Sequence, residues 1–149
     1  MGSQSDKPAA GPKLPPYGMS ITNEQAKKVA AAALRPAREN QWTMVVAIVD
    51  TGGHLVYLEK LDQTQVGSVD VAIAKAKSSA IFKRSTKMFQ ERLARGGDGL
   101  LVLRLKGAIP VEGGLPIIVD GKLIGALGVS GGSSAEDEVC AEAGAGALS

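Results

Sequence analysis

Aromatic side chains are nearly absent: Phe, Trp and Tyr together make up 3% of the 149 residues. A core built without large rings relies on close approach of small residues. Nucleic acid as a partner is disfavoured too, because the stacking side chains it needs are scarce. Cysteine occurs once, at Cys140. That excludes an intrachain disulfide and a cysteine-based metal cage. The sole histidine, His54, excludes a two-histidine metal site within one chain. The G-x-x-x-x-G-K-[ST] phosphate loop is missing. No run reaches the ~18 apolar residues of a membrane span. The N-terminus lacks the apolar centre of a secretory signal, so the expectation is a cytoplasmic protein that meets no membrane.

What is present is small and apolar. Hydrophobic residues reach 44%, with 19 glycines, enough for a single domain with a real core. Residues 1–19 carry Pro8, Pro12, Pro15 and Pro16 and read as a flexible Pro/Gly-rich arm, with residues 20–149 as one domain. Tyr17 is positioned to pin the end of that arm.

A helix should begin near Thr22, where Thr22 and Gln25 fit a capping box, and Pro36 should kink or end it. Thr43–Asp50 is the clearest strand. Thr51-Gly52-Gly53 turns the chain into a second strand, His54–Leu61. A helix from Ser68 carries Val69, Ala72, Ile73, Ala76 and Ala80 on one narrow face. Phe82–Thr86 reads as a break before a short helix over 87–95. Leu100–Leu105 fits a strand or a short helical turn, and Ala108–Glu112 a short strand. Gly113–Gly132 forms a hairpin about Asp120-Gly121, the dipeptide a type I′ turn prefers. Ser133 and Glu136 mark the cap of a last helix. Two hairpins separated by helices favour an α+β domain with an antiparallel sheet.

Charge is the informative feature. The chain carries a net +2. Yet seven cations (Lys75, Lys77, Lys83, Arg84, Lys87, Arg92, Arg95) face one acid, Glu91, between positions 75 and 95. The bland reading is a solvated helix face. The sharper one is a rim for carboxylates or phosphates. Gly131-Gly132, before the last helix, offers N–H groups to an anion, but Glu136, Asp137 and Glu138 crowd the same field. His54 sits at a turn exit, where a surface histidine is commoner than a ligand.

The segments AIVDTGGHLVYLEKLD (47–62), AIAKAKSSAIF (72–82), GGLPIIVDGKLIGALGVSGG (113–132) and DEVCAEAGAGAL (137–148) together resemble the GlcG/HbpS family. These are haem-binding or "haem-degrading domain" proteins, related to the C-terminal domain of PduO-type corrinoid adenosyltransferases. The resemblance implies a profilin-like or PAS-like fold, with a five-stranded antiparallel sheet flanked by helices. It also implies a homo-oligomer, from dimer up to octamer, and haem as a cofactor.

Where the family pattern has a Pro-Thr pair after a phenylalanine, this chain has Ser85-Thr86 after Phe82. Thr86 is thereby implied as an iron-proximal oxygen, with His54 as a second choice. Lys75 and Arg84 are implied as propionate partners; the hairpin's first corner, Gly113-Gly114, is by its own residues a candidate for touching a ligand. Three functions follow as expectations. The first is a haem or tetrapyrrole binder in haem sensing or degradation. The second is an enzyme or accessory protein of a catabolic pathway acting on a small carboxylate. The third is a structural interaction module whose glycines serve packing alone.

Overall fold

Asp120 and Gly121 both take positive φ, 51° and 76°, the geometry of a type I′ turn. They fold β3 (Gly114–Val119) back on β4 (Lys122–Ser130). The computed structural model describes residues 13–149; the first part of the expected arm, 1–12, lies outside them. Before this hairpin come α1 (Asn23–Asn40), β1 (Val45–Val49), β2 (Leu55–Lys60), α2 (Gly67–Phe82), α3 (Thr86–Ala94) and a 3-10 segment, Gly97–Arg104. After it comes α4 (Ser134–Ala145).

The sheet order is β2-β1-β4-β3, with every neighbouring pair antiparallel. The protein is thus α+β with helices on both faces of the sheet. Four strands form among the described residues, not the five that the resemblance implies. The expected strand over 108–112 is absent because side chains of α2 and α3 claim its N–H groups. The Ile109 N–H donates to Ser78 Oγ (3.1 Å) and the Glu112 N–H to Gln90 Oε1 (2.8 Å). Pro110 has no N–H to give. Side chains therefore satisfy this backbone, and no ladder forms. The Leu100–Leu105 ambiguity resolves as the 3-10 segment.

Where β1 stops pairing with β4, the arm takes over. The Gly18 N–H donates to Leu123 O and the Leu123 N–H to Pro16 O. Tyr17 donates its hydroxyl to Ala80 O at 2.6 Å. The end of the arm is therefore pinned to the body.

Alternation along the strands feeds two cores. Val46, Ile48, Leu127 and Val129 pack with Ala26, Val29, Ala33 and Leu34 of α1 and with Cys140 and Ala141 of α4. Val45, Ala47, Val49 and Ala126 face Ala72, Ala76 and Ala80 of α2. Small residues let α2 approach so closely that a Cβ at Gly128 would press into the Ala72 carbonyl and the Ala76 amide. Both capping boxes form, at Thr22/Gln25 and Ser133/Glu136. Pro36 does not end α1, which continues to Asn40.

Candidate functional site

The corner Gly113-Gly114 lies inside the fold. Gly113 has φ 123°, a conformation open to glycine, and donates its N–H to Glu138 Oε1 at 2.9 Å. Gly114 donates to Thr86 Oγ1 at 2.9 Å. A Cβ on Gly113 would lie 2.8 Å from Lys75 Nζ, and one on Gly114 3.0 Å from Ser79 Oγ. These glycines admit α2, α3 and α4 to the edge of β3.

Lys75 is 1% exposed in its side chain, and its ammonium donates to Asp137 Oδ2 (3.0 Å) and Val129 O (2.9 Å). It is committed to an internal ion pair and leaves the basic rim. Asp137 Oδ1 in turn accepts from the Gly132 N–H. The anion field expected before α4 is filled by the protein's own carboxylate. Burial pushes the Asp137 carboxyl above its usual range, while Lys75 and the Gly132 N–H pull it back. Burial also raises Glu138, opposed by the Gly113 N–H. It pushes the Cys140 thiol up to about 11, so that sulfur stays protonated in the core.

Thr86 is 0% exposed, and its hydroxyl accepts the Gly114 N–H. Its neighbour Ser85 has φ −67°, the value a proline ring imposes. The departure from Pro-Thr therefore leaves the backbone path intact, and Ser85 Oγ caps α3 through the Met88 N–H at 3.3 Å. His54 lies in the β1–β2 turn, with its side chain 83% exposed and 3.4 Å from Asp50 Oδ1.

Arg84 is the expected residue that does reach a cavity. The left-handed residue Lys83 (φ 57°) ends α2 and turns the chain into α3. The turn sets Lys83, Arg84, Met88 and Arg92 around an open cavity of about 510 Å³, whose lining Lys13, Leu14 and Pro15 of the arm complete. Four of these seven residues are cations and none is an acid. Its size is typical of a small-molecule or cofactor site.

Arg84 is oriented by its Nε–H bond to Phe82 O (2.9 Å). Both guanidinium carbons, of Arg84 and Arg92, lie 5.8 Å from the Phe89 ring. Lys83 Nζ sits 4.3 Å from the Tyr17 ring centre, which joins arm and rim. Met88 and the arm residues were not legible as site residues. The available signal was the i, i+4 spacing of Met88 and Arg92, one face of α3.

A second cavity of about 550 Å³ shares Arg92 and adds Arg95, Asp98, Leu101, Val102 and Leu105. Gly128-x-Ser130-x-Gly132 matches the spacing of a nucleophile elbow at a strand–helix turn. Ser130, however, sits in the ladder opposite Val45, outside positive φ. His54 follows the other end of β1, so no base meets that hydroxyl. No group of three or more metal-ligating side chains occurs among the described residues, and no helix there is long and apolar enough to cross a membrane.

Comparison with known proteins places these features in context. The sequence model of a family described as "Haem degrading protein HbpS-like" matches residues 21–146. Protein GlcG of Escherichia coli K12 is 33% identical over 110 residues, 74% of this chain and 81% of that protein. The crystal structure of a double mutant of Streptomyces reticuli HbpS superposes with TM-score 0.80 and 29% identity, covering 95% of this chain and 99% of the other. A PduOC:Heme complex superposes with TM-score 0.78 and 26% identity, covering 87% and 96%.

Proposed function

This chain belongs to the HbpS-like family, and on that premise we propose that it binds haem or a related anionic tetrapyrrole between the arm and α3. One observation carries the reading: four cations and no acid surround the cavity of Arg84, Met88 and Arg92. The chemistry of this lining fits the group. Guanidinium and ammonium groups pair with propionates; Leu14, Pro15 and the Met88 side chain offer apolar surface to a ring. The relative solved as a PduOC:Heme complex supports the same ligand. Bound haem supplies an iron for redox or oxygen chemistry, in haem sensing or degradation. This chain's residues bind the carboxylates and cover the ring with the arm. The test is titration of apo-protein with hemin. A shifted, saturable Soret band is expected; an unshifted band overturns the reading.

Self-association belongs to the same proposal. Leu100, Leu101 and Leu103 of the 3-10 segment are exposed, with Leu105 and Val111 beside them in sequence. Apolar exposure of this kind supports a covered face, and a homo-oligomer, from dimer up to octamer, is the assembly we assign. The antiparallel order β2-β1-β4-β3 supports a profilin-like or PAS-like class. A single buried thiol, Cys140, supports a reducing, cytoplasmic setting.

A second reading, an enzyme or accessory protein acting on a small carboxylate, is favoured by the neighbouring cavity. There Arg92 and Arg95 stand beside Leu101 and Leu105, and an arginine fork suits a carboxylate with an apolar tail. Calorimetry with small carboxylates distinguishes it: binding abolished by Arg95→Ala, with an unshifted hemin spectrum, selects this reading over haem.

A further inference from the structure

We propose that the protein donor to the haem iron is the thioether sulfur of Met88. The inference rests on the haem reading above and deepens it.

Iron in haem takes an axial imidazole, thiolate, thioether or phenolate. The described residues that carry such groups are few, and the fold disposes of all but one. His54 is outside the cavity lining, in the β1–β2 turn. Cys140 is buried in α4 on the opposite face of the sheet from α2. Tyr17 spends its hydroxyl on Ala80 O, and Tyr57 on Glu59. Met44 is buried in the α1/α4 core, and Met19 lies against a different depression beside Lys122. Thr86, the oxygen expected at the iron, is sealed behind Gly114. Met88 alone lines the basic cavity and is 39% exposed.

Its placement suits the task. Arg92 lies four residues on, about one helical turn or ~5–6 Å along the same face of α3, and Arg84, in the bend before the Ser85 cap, lines the same cavity. A ring standing over Met88 has two guanidinium groups in the same lining to receive carboxylates at its rim. The backbone under Met88 is fixed, since its N–H is held by the Ser85 cap at 3.3 Å. Thioether sulfur is soft and polarizable and, as an axial ligand, raises the potential of haem iron.

The test compares wild type, Met88→Leu and Thr86→Ser after hemin titration. Near-infrared magnetic circular dichroism of the ferric form reads sulfur-to-iron charge transfer directly in the wild type, without a variant. We expect that band in wild type and Thr86→Ser, and its loss in Met88→Leu together with a lowered reduction potential. Far-ultraviolet circular dichroism checks that Met88→Leu is folded, as a part-exposed isostere should be. A shifted Soret band with no sulfur band in wild type, or one unchanged in Met88→Leu, overturns Met88 while leaving haem binding intact. An unshifted Soret band in wild type overturns both.

Discussion

Lys75 Nζ and Asp137 Oδ2 meet at 3.0 Å with side chains only 1% and 5% exposed. They join the middle of α2 to the first turn of α4 across the end of β4, where Lys75 also holds Val129 O. Sixty-two residues separate them in sequence. The pair is the polar hub behind the Gly113-Gly114 corner.

Removing one partner strands the other. In Asp137→Ala both Lys75 and the Gly132 N–H lose their acceptor. A buried pair broken on one side costs about 3–5 kcal/mol. Urea unfolding should show that loss, and the double variant Lys75→Met/Asp137→Leu should recover much of it.

Glu138 predicts a pH dependence. Burial raises its folded-state pKa above the ordinary 4.5. Its protonated form is therefore favoured by folding. That contribution is full below about pH 4.5 and is lost as pH rises through the folded-state pKa. Glu138→Gln keeps an oxygen acceptor for the Gly113 N–H and carries no charge. It should be at least as stable as wild type at pH 7, with the gap closing below pH 4.5. Melting temperatures across that range check the sign.

Gly128→Ala tests the closeness of α2. The new Cβ meets backbone of Ala72 and Ala76, which cannot swing aside as a side chain would. Overpacking of this kind should cost about 3 kcal/mol, read as a lower urea midpoint. Gly121→Ala, where a Cβ meets open space but φ is 76°, should cost about 1 kcal/mol from backbone strain alone.

Arg84, Arg92 and Arg95 separate the two cavities. Arg84 and Arg92 line the cavity beneath the arm; Arg95 lines only its neighbour. Loss of one charge-assisted hydrogen bond is worth about 1.5 kcal/mol, roughly tenfold in Kd. Hemin affinity should fall by that factor in Arg84→Ala and Arg92→Ala and hold in Arg95→Ala. The wild-type affinity should also weaken with added salt. Fluorescence or absorbance titrations give all three.

Much of the fold was written locally. Thr22/Gln25 and Ser133/Glu136 name their helix starts because a cap is a contact over three residues. Asp120-Gly121 names its turn because two positive φ values suit few dipeptides. The ladder absent over 108–112 was not legible, since Ser78 and Gln90 claim its N–H groups from 31 and 22 residues away. The same distance effect divides the site. Sequence marked a basic stretch from 75 to 95, correctly as to sign, but charge along a chain does not say which side chain turns inward. Tertiary structure buried Lys75 against Asp137 and Thr86 against Gly114, because a core of small residues leaves α2 and α3 close enough for their polar groups to be needed inside. It left Arg84, in the bend before α3, and Met88 and Arg92, on α3, lining a cavity with the arm.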